Sequence, residues 1–295
     1  MMVENIYEFN GKLIMLMLCS SCNVKCKHCY ISYSKDFEYN EANDLISALN
    51  EKYDIYLNGS EILAKPEYLP LFKKVGQKFI MTNGLAIAKN PDVLSMCKDN
   101  NIDTIRLSYH FSLHEQISPI PREMVLKVIS LCKEYGMKVM IMASISKNNE
   151  DDIRSMCDEA YKLGANSIKF TNFLLQGAAK DNNLNSIVLN QMEINSVLEK
   201  IEECRSIYDP SELYIKRCGS FGSYNNSLKN NFHCPSITDS VVITPNMSVY
   251  PCVFRAMPGH EIGLCQNGKV LLFKNKLKYN NNVCLSKRFL NENIL

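Results

Sequence analysis

The chain predicts an α/β fold built on a parallel sheet, and three observations predict it. From residue 12 to about 215, short apolar runs alternate with longer amphipathic stretches. The runs read as buried parallel strands, and the stretches repeat their apolar residues at helical spacing. Residues that open and close helices fall where this alternation needs them. Six strand–helix units in series imply helices packed outside a parallel sheet. Right-handed crossovers would curl that sheet into a barrel or a partial barrel. An open doubly wound sheet is the other arrangement. No G-x-G-x-x-G follows the first run, which disfavours a dinucleotide site.

The expected strands are residues 13–18, 53–57, 78–82, 104–108, 138–144 and 167–171. Between them, 42–52 carries Leu45, Ile46 and Leu49 on one helical face. The stretch 122–135 does the same with Val125, Val128, Ile129 and Cys132, and 151–163 with Ile153, Met156, Cys157 and Ala160. Pro91 and Asp92 open one helix, while Gly136 and Gly164 each end one. After about Asp209, Gly, Asn, Ser and Pro become frequent and cysteines return. There, 240–244, Pro245-Asn246 and 248–250 read as a short β-hairpin. The expected organisation is a lead-in over 1–12, a barrel domain over 13–215 and a small tail over 216–295. A tail of that size needs a metal or a docking surface to hold it.

Composition narrows the function. Apolar residues make up 46% and charged residues 22%, which fits a globular protein and excludes wholesale disorder. A net charge of +2 lacks the broad basic field of a protein that grips nucleic acid by its phosphates. The longest early apolar run, Leu13 to Cys19, is far short of a membrane span and lacks signal-peptide flanks. No membrane partner is expected, and a cytoplasmic location is. Thirteen cysteines in a reducing compartment point to metal or catalytic thiols rather than disulfides.

Three of those thiols, Cys22, Cys26 and Cys29, follow the first strand at C-x3-C-x2-C spacing. Loops after the strands form the functional face of a parallel barrel. Three thiolates in one loop suit a closed zinc site with His28 as the fourth ligand. They equally suit an iron–sulfur cluster with one iron left open. A cysteine-rich turn without metal is the bland alternative.

In this motif the chain resembles the radical S-adenosylmethionine (SAM) enzymes. The resemblance implies a partial (β/α)6 TIM-like barrel. It also implies a 4Fe–4S cluster on Cys22, Cys26 and Cys29, whose open iron takes the amino and carboxylate groups of SAM. His28 stands where the family often has an aromatic near the adenine. Gly59, Ser60 and Glu61 follow the second strand, where the family has Gly-Gly-Glu against the SAM amino group; Ser60 departs from that pattern. Asn83 in Thr82-Asn83-Gly84, Ser108, Arg122 and Asn172 are the further SAM contacts the resemblance implies, with Gly177 close to the last.

The tail has its own array: Cys218, Cys234, Cys252, Cys265 and Cys284. Cys234, the hairpin and Tyr250-Pro251-Cys252 resemble the start of a SPASM or twitch domain, which implies an auxiliary 4Fe–4S cluster. The implied ligands are Cys218, Cys234, Cys252 and Cys284, with Cys284 preferred to Cys265. Cys265 precedes the Asn267-Gly268 turn and is expected on an exposed strand end. A zinc ribbon is the alternative.

Cys97, Cys132, Cys157 and Cys204 read as helix core. His110 and His114 follow the fourth strand, at the functional face. The expected activity is reductive cleavage of SAM and hydrogen abstraction from a peptide or protein side chain: crosslinking, dehydrogenation or epimerisation. An external donor of flavodoxin or ferredoxin type would supply electrons, and Cys19 is the candidate hydrogen donor. The alternatives are radical SAM chemistry on a sugar-like small molecule or RNA, and a non-catalytic iron–sulfur or zinc protein.

Overall fold

The computed structural model describes residues 6–221 and 235–276. In chain order, β1 (Ile6–Glu8) and β2 (Leu13–Met17) precede α1 (Tyr39–Asn50) and β3 (Asp54–Asn58). Next come α2 (Leu69–Lys74), β4 (Phe79–Thr82), α3 (Leu85–Lys89), α4 (Val93–Asp99) and β5 (Thr104–Ser108). They are followed by α5 (His114–Ile117), α6 (Arg122–Glu134), β6 (Lys138–Ile145), α7 (Ile153–Lys162) and β7 (Ser167–Asn172). Then α8 (Ala178–Asp181), α9 (Gln191–Ile207) and β8 (Tyr214–Arg217) lead to β9 (Ser240–Ile243), β10 (Ser248–Tyr250), β11 (Gly263–Gln266) and β12 (Lys269–Phe273).

These elements make two compact units that interleave in sequence. One takes its described residues from Met1–Cys22, Ile31–Gln77 and His233–Leu295, the other from Asn23–Tyr30 and Lys78–Phe232. The class is the predicted one, mixed α/β with parallel strands.

The first unit holds a seven-stranded sheet ordered β1-β12-β11-β10-β9-β2-β3. β2 pairs in parallel with both β3 and β9. Its five residues are Leu-Ile-Met-Leu-Met, an apolar run of the kind a central parallel strand requires. The tail hairpin forms as expected, with Val249 opposite Ile243 and Tyr250 opposite Val242. Asn246 closes its turn by accepting from the Ser248 amide at 3.3 Å. Met17 packs with Val242, Tyr250 and Ala256 in one buried cluster, so docking on β2 gives the tail strands their core. The expectation for Cys265 is corrected. Its strand, β11, is flanked by β10 and β12, so the residue is buried, and burial pushes its thiol up to about 11.

The second unit holds a five-stranded, all-parallel sheet ordered β4-β5-β6-β7-β8. Alternate strand residues Ile105, Leu107, Ile141, Ala143, Ile168 and Phe170 are buried. They face the apolar stripes of helices: Val125, Val128, Ile129 and Cys132 on α6, and Ile153, Met156, Cys157 and Ala160 on α7. Gly136 and Gly164 end those helices with φ of +66° and +71°, the left-handed conformation that glycine adopts without a side-chain penalty. β8 was not expected as a strand. Only Ile215 of its four residues is buried, so it lacks the alternating apolar pair, Ile168 and Phe170, of the neighbouring β7.

Candidate functional site

In the first unit, the ends of β2 and β3 meet at Cys19 and Gly59. The Ser60 amide donates to the Cys19 carbonyl at 2.9 Å. A Cβ on Gly59 would stand 2.8 Å from Cys19 Sγ and 2.8 Å from Ile62 Cδ1, so only glycine fits there without displacing a neighbour. Glu61 is fully buried and accepts from the Leu63 amide at 3.2 Å, which caps a short 3-10 turn. Ser60 Oγ is buried and meets no hydrogen-bond partner. Burial pushes the Cys19 thiol up to about 11, so it keeps its proton at neutral pH.

The segment entering the cysteine motif is tied down by Asp36, a residue no sequence pattern singled out. Its Oδ1 accepts from the Ser20 amide at 2.7 Å and the Ser21 amide at 3.0 Å, and Oδ2 accepts from the Ser21 hydroxyl. Lys65 Nζ lies 2.7 Å from Oδ2. Burial alone would raise this carboxyl. Lys65 and the serine donors outweigh burial and hold it well below the usual carboxylate range. A depressed folded-state value means that the carboxylate's stabilisation is whole above the unfolded value near pH 4 and shrinks as pH falls below it. The melting-temperature gap between wild type and Asp36→Asn is therefore expected to be steady from pH 8 to 5 and to narrow below about pH 4. A gap that widens with acid contradicts this assignment. Cys22, exposed, follows these serines directly.

Cys26 and Cys29 are half-buried and lie in the segment that belongs to the second unit. A tight turn joins them, with the Cys29 amide donating to the Cys26 carbonyl at 3.3 Å. The segment is anchored to the loops after three strands. Lys27 donates its amide to the Ile117 carbonyl at 2.9 Å, and the Ala178 amide donates to the Cys29 carbonyl at 2.9 Å. Asn83 Nδ2 donates to Asn23 Oδ1 at 2.9 Å. At Gly177, φ is +50°, and a Cβ would stand 2.5 Å from the Cys29 carbonyl oxygen.

Three histidines gather beside this segment. His28 meets His110 edge-on at 4.8 Å between ring centroids, and His110 stacks on His114 at 5.5 Å. His110 Nδ1 accepts from the Ser144 amide at 3.1 Å, and His114 Nδ1 accepts from the His110 amide at 3.3 Å. Both protons therefore sit on Nε2, and both Nε2 atoms are buried with no partner. Burial and the neighbouring imidazoles push His110 well down; burial chiefly takes His114 to about 4. All three rings lose affinity for a second proton, and His110 and His114 present neutral N–H donors.

The other sequence candidates fall as follows. Asn172 ends β7; its amide donates to Ser220 Oγ at 3.0 Å, while its side-chain Oδ1 is buried without a partner. Gln176, which the sequence did not single out, has both amide atoms buried and unpartnered. Ser108 ends β5 and is half-buried. Arg122 is engaged elsewhere, by Tyr109 OH at 2.7 Å and Glu159 at 2.8 Å. Cys218 donates its amide to Phe170 at 2.8 Å in the second unit, and Cys252 follows β10 in the first. Cys234 and Cys284 lie outside the described residues. Among the described residues, no three side chains of His, Cys, Asp and Glu converge on a point that would hold a metal ion. No described helix is long and apolar enough to cross a membrane.

The chemistry of the donors suits an iron–sulfur group and a polar ligand, taken unit by unit: Cys22 in the first, Cys26 and Cys29 in the second. Three accessible thiols stand on one short loop. Buried polar atoms without partners gather at strand ends: Ser60 in the first unit; His110, His114, Asn172 and Gln176 in the second. Polar groups that lose water on folding are normally satisfied within the protein, so orphaned ones mark a place for a ligand.

No protein-family model matches the chain. In sequence it is similar to the antilisterial bacteriocin subtilosin biosynthesis protein AlbA of Bacillus subtilis (strain 168). The two are 23% identical over 166 residues, which is 50% of this chain and 36% of AlbA. In fold it is similar to Streptococcus suis SuiB bound to precursor peptide SuiA, with a TM-score of 0.67 and 15% identity over 85% of this chain and 62% of SuiB. It also resembles anSMEcpe with bound AdoMet and the Cp18Cys peptide, with a TM-score of 0.63 and 16% identity over 92% of this chain and 82% of that one. The fold is therefore the one seen in SuiB and anSMEcpe. The chain spans less than two thirds of the length of AlbA and of SuiB.

Proposed function

We propose that this chain is a radical SAM enzyme that modifies a peptide or protein side chain. The observation that carries the reading is the Cys22, Cys26 and Cys29 array on the loop after β2, in a fold shared with AdoMet-bound proteins. Bound there, a 4Fe–4S cluster and SAM would supply a 5′-deoxyadenosyl radical for hydrogen abstraction.

The chain's own residues position and protect that chemistry. Asp36 fixes the entry to the loop, and Gly177 lets the backbone close on Cys29. Gly59, Ser60 and Glu61 are proposed to hold the SAM amino group, with the buried Glu61 carboxylate as the charge-assisted acceptor. His28, Asn83, Ser108, Arg122 and Asn172 are proposed as its further contacts; Arg122 would first have to leave Glu159. Cys19 keeps its S–H at neutral pH, the state a hydrogen donor requires. A second 4Fe–4S cluster is assigned to the tail, on Cys218, Cys234, Cys252 and Cys284. Electrons would come from a flavodoxin- or ferredoxin-type partner in a reducing cytoplasm.

The peptide substrate is supported by the SuiA-bound SuiB and peptide-bound anSMEcpe structures and by AlbA, a bacteriocin biosynthesis protein. The test is anaerobic incubation of the reconstituted enzyme and SAM with peptides encoded beside its gene. Mass spectrometry should show loss of two hydrogen atoms for crosslinking or dehydrogenation, or gain of one deuterium in heavy water for epimerisation. Turnover of small metabolites with every such peptide untouched overturns the peptide assignment.

A further inference from the structure

The five-stranded sheet has one face packed under helices and one left half-exposed. Parallel register puts paired residues on the same face, so membership of the half-exposed face can be read strand by strand. One row runs through Ser108, Met142, Lys169 and Lys216. The next row runs through Met81, Arg106 and Met140. Every charged residue on this face is a cation: Arg106, Lys138, Lys169 and Lys216. No Asp or Glu stands on it.

Lys169 and Lys216 are direct cross-strand partners, an arrangement that destabilises a sheet by like-charge repulsion. Among the described residues, neither lysine makes an ion pair. Lys216 instead lies over the Tyr214 ring at 4.8 Å, and the Arg106 guanidinium lies on the Phe79 ring at 3.3 Å. Burial lowers the affinity of Lys216 for its proton, and the positive charges of Arg106 and Lys169 lower it further. The three cations therefore feel one another. A chain of net charge +2 has gathered them on one face, in the row that ends at Ser108 and the row beside it.

We infer that Lys169 and Lys216, with Arg106 beside them, form an anion site that takes a carboxylate of the substrate peptide. The inference rests on the proposed radical SAM function and names the chemistry its substrate must carry. A carboxylate would place negative charge between two paired ammonium groups and remove their mutual repulsion. Met142 and Phe79, both half-buried, supply apolar surface beside the charges, which suits a side chain or chain end. A nucleic acid would call for a broad solvent-facing basic strip, which the near-neutral chain lacks. The carboxylate can come from an Asp or Glu side chain or from the peptide's C-terminus.

The test is calorimetry on the full chain, reconstituted with iron and sulfide and saturated with SAM. The probes are short peptides of Gly, Ser, Ala and Phe, capped at both ends, with a single central Glu or a single central Gln. A third probe is the Gln peptide with its C-terminal carboxylate free. The Glu peptide or the free-carboxylate peptide is expected to bind at least roughly tenfold more tightly than the capped Gln peptide; which of the two does so identifies the source. Lys169→Gln with Lys216→Gln should erase the preference. So should Lys169→Glu alone, which satisfies Lys216 internally and leaves the sheet better paired. Equal binding of all three peptides, or a preference that survives both variants, overturns the inference. So does a matching loss of SAM affinity, which would assign the cations to the SAM carboxylate, or tighter binding of a single-stranded RNA that displaces the Glu peptide. SAM cleavage by the same preparation separates the two claims. If 5′-deoxyadenosine forms and the preference is missing, only the carboxylate site fails. If none forms, the radical SAM reading itself fails.

Discussion

Replacing Cys22, Cys26 and Cys29 together with Ala should remove about half of the bound iron and all reductive cleavage of SAM. The expected effect is the largest in the molecule, because these three thiols are the proposed ligands of the SAM-binding cluster. The remaining iron would belong to the tail array, and its electron paramagnetic resonance signal should survive. Two of the four proposed tail ligands, Cys218 and Cys252, lie among the described residues and are half-exposed. The folded core should survive too, since Cys22 is exposed and Cys26 and Cys29 are only half-buried. Full iron content in the triple variant contradicts the ligand assignment. Loss of all the iron contradicts the two-cluster assignment.

Gly177→Ala should be nearly as damaging, although it touches no ligand atom directly. The residue has φ of +50° and ψ of −132°, a conformation that side chains rarely tolerate. The added methyl would also meet the Cys29 carbonyl oxygen at 2.5 Å, and that carbonyl is the acceptor for the Ala178 amide. Strain and overlap together are expected to destabilise the protein by about 3 kcal/mol. Iron uptake should fall with stability, because relief of the clash moves the segment that carries Cys26 and Cys29. Chemical denaturation of the apo-protein checks the first effect, and iron analysis the second. A Gly177→Ala variant with wild-type stability and iron content would show that the backbone does not close there.

Much of this was legible in the sequence, for physical reasons that differ between elements. β2 was legible as a continuous apolar run, as expected of a strand paired in parallel on both sides. β5 and β7 were legible through alternation, with Ile105 and Leu107, and Ile168 and Phe170, buried on one face. The hairpin β9–β10 was legible because its turn residues, Pro245 and Asn246, are local signals. The pairing of β9 with β2 was not, because parallel pairing between strands so far apart leaves no local mark. α1 begins at Tyr39, before the expected residue 42, because Glu38 and Glu41 form a capping box that lacks the usual Ser or Thr. β8 was missed because one buried Ile among polar residues carries no periodicity.

At the site, the cysteine spacing was legible because the three proposed ligands are compressed into one loop. The supports of that loop were not. Asp36 and Gln176 belong to no motif, and each acts through groups distant from it in sequence or through none in the chain. The lysine pair is invisible for the same reason: Lys169 and Lys216 become neighbours only through β7–β8 register.

The most direct test of the central claim is chromatography of the products formed when the reconstituted chain meets SAM and dithionite without oxygen. The account predicts 5′-deoxyadenosine and methionine in equal amounts, formed only when the reductant and the three loop cysteines are all present. A chain that binds its full complement of iron, folds normally and leaves SAM intact under those conditions would contradict it.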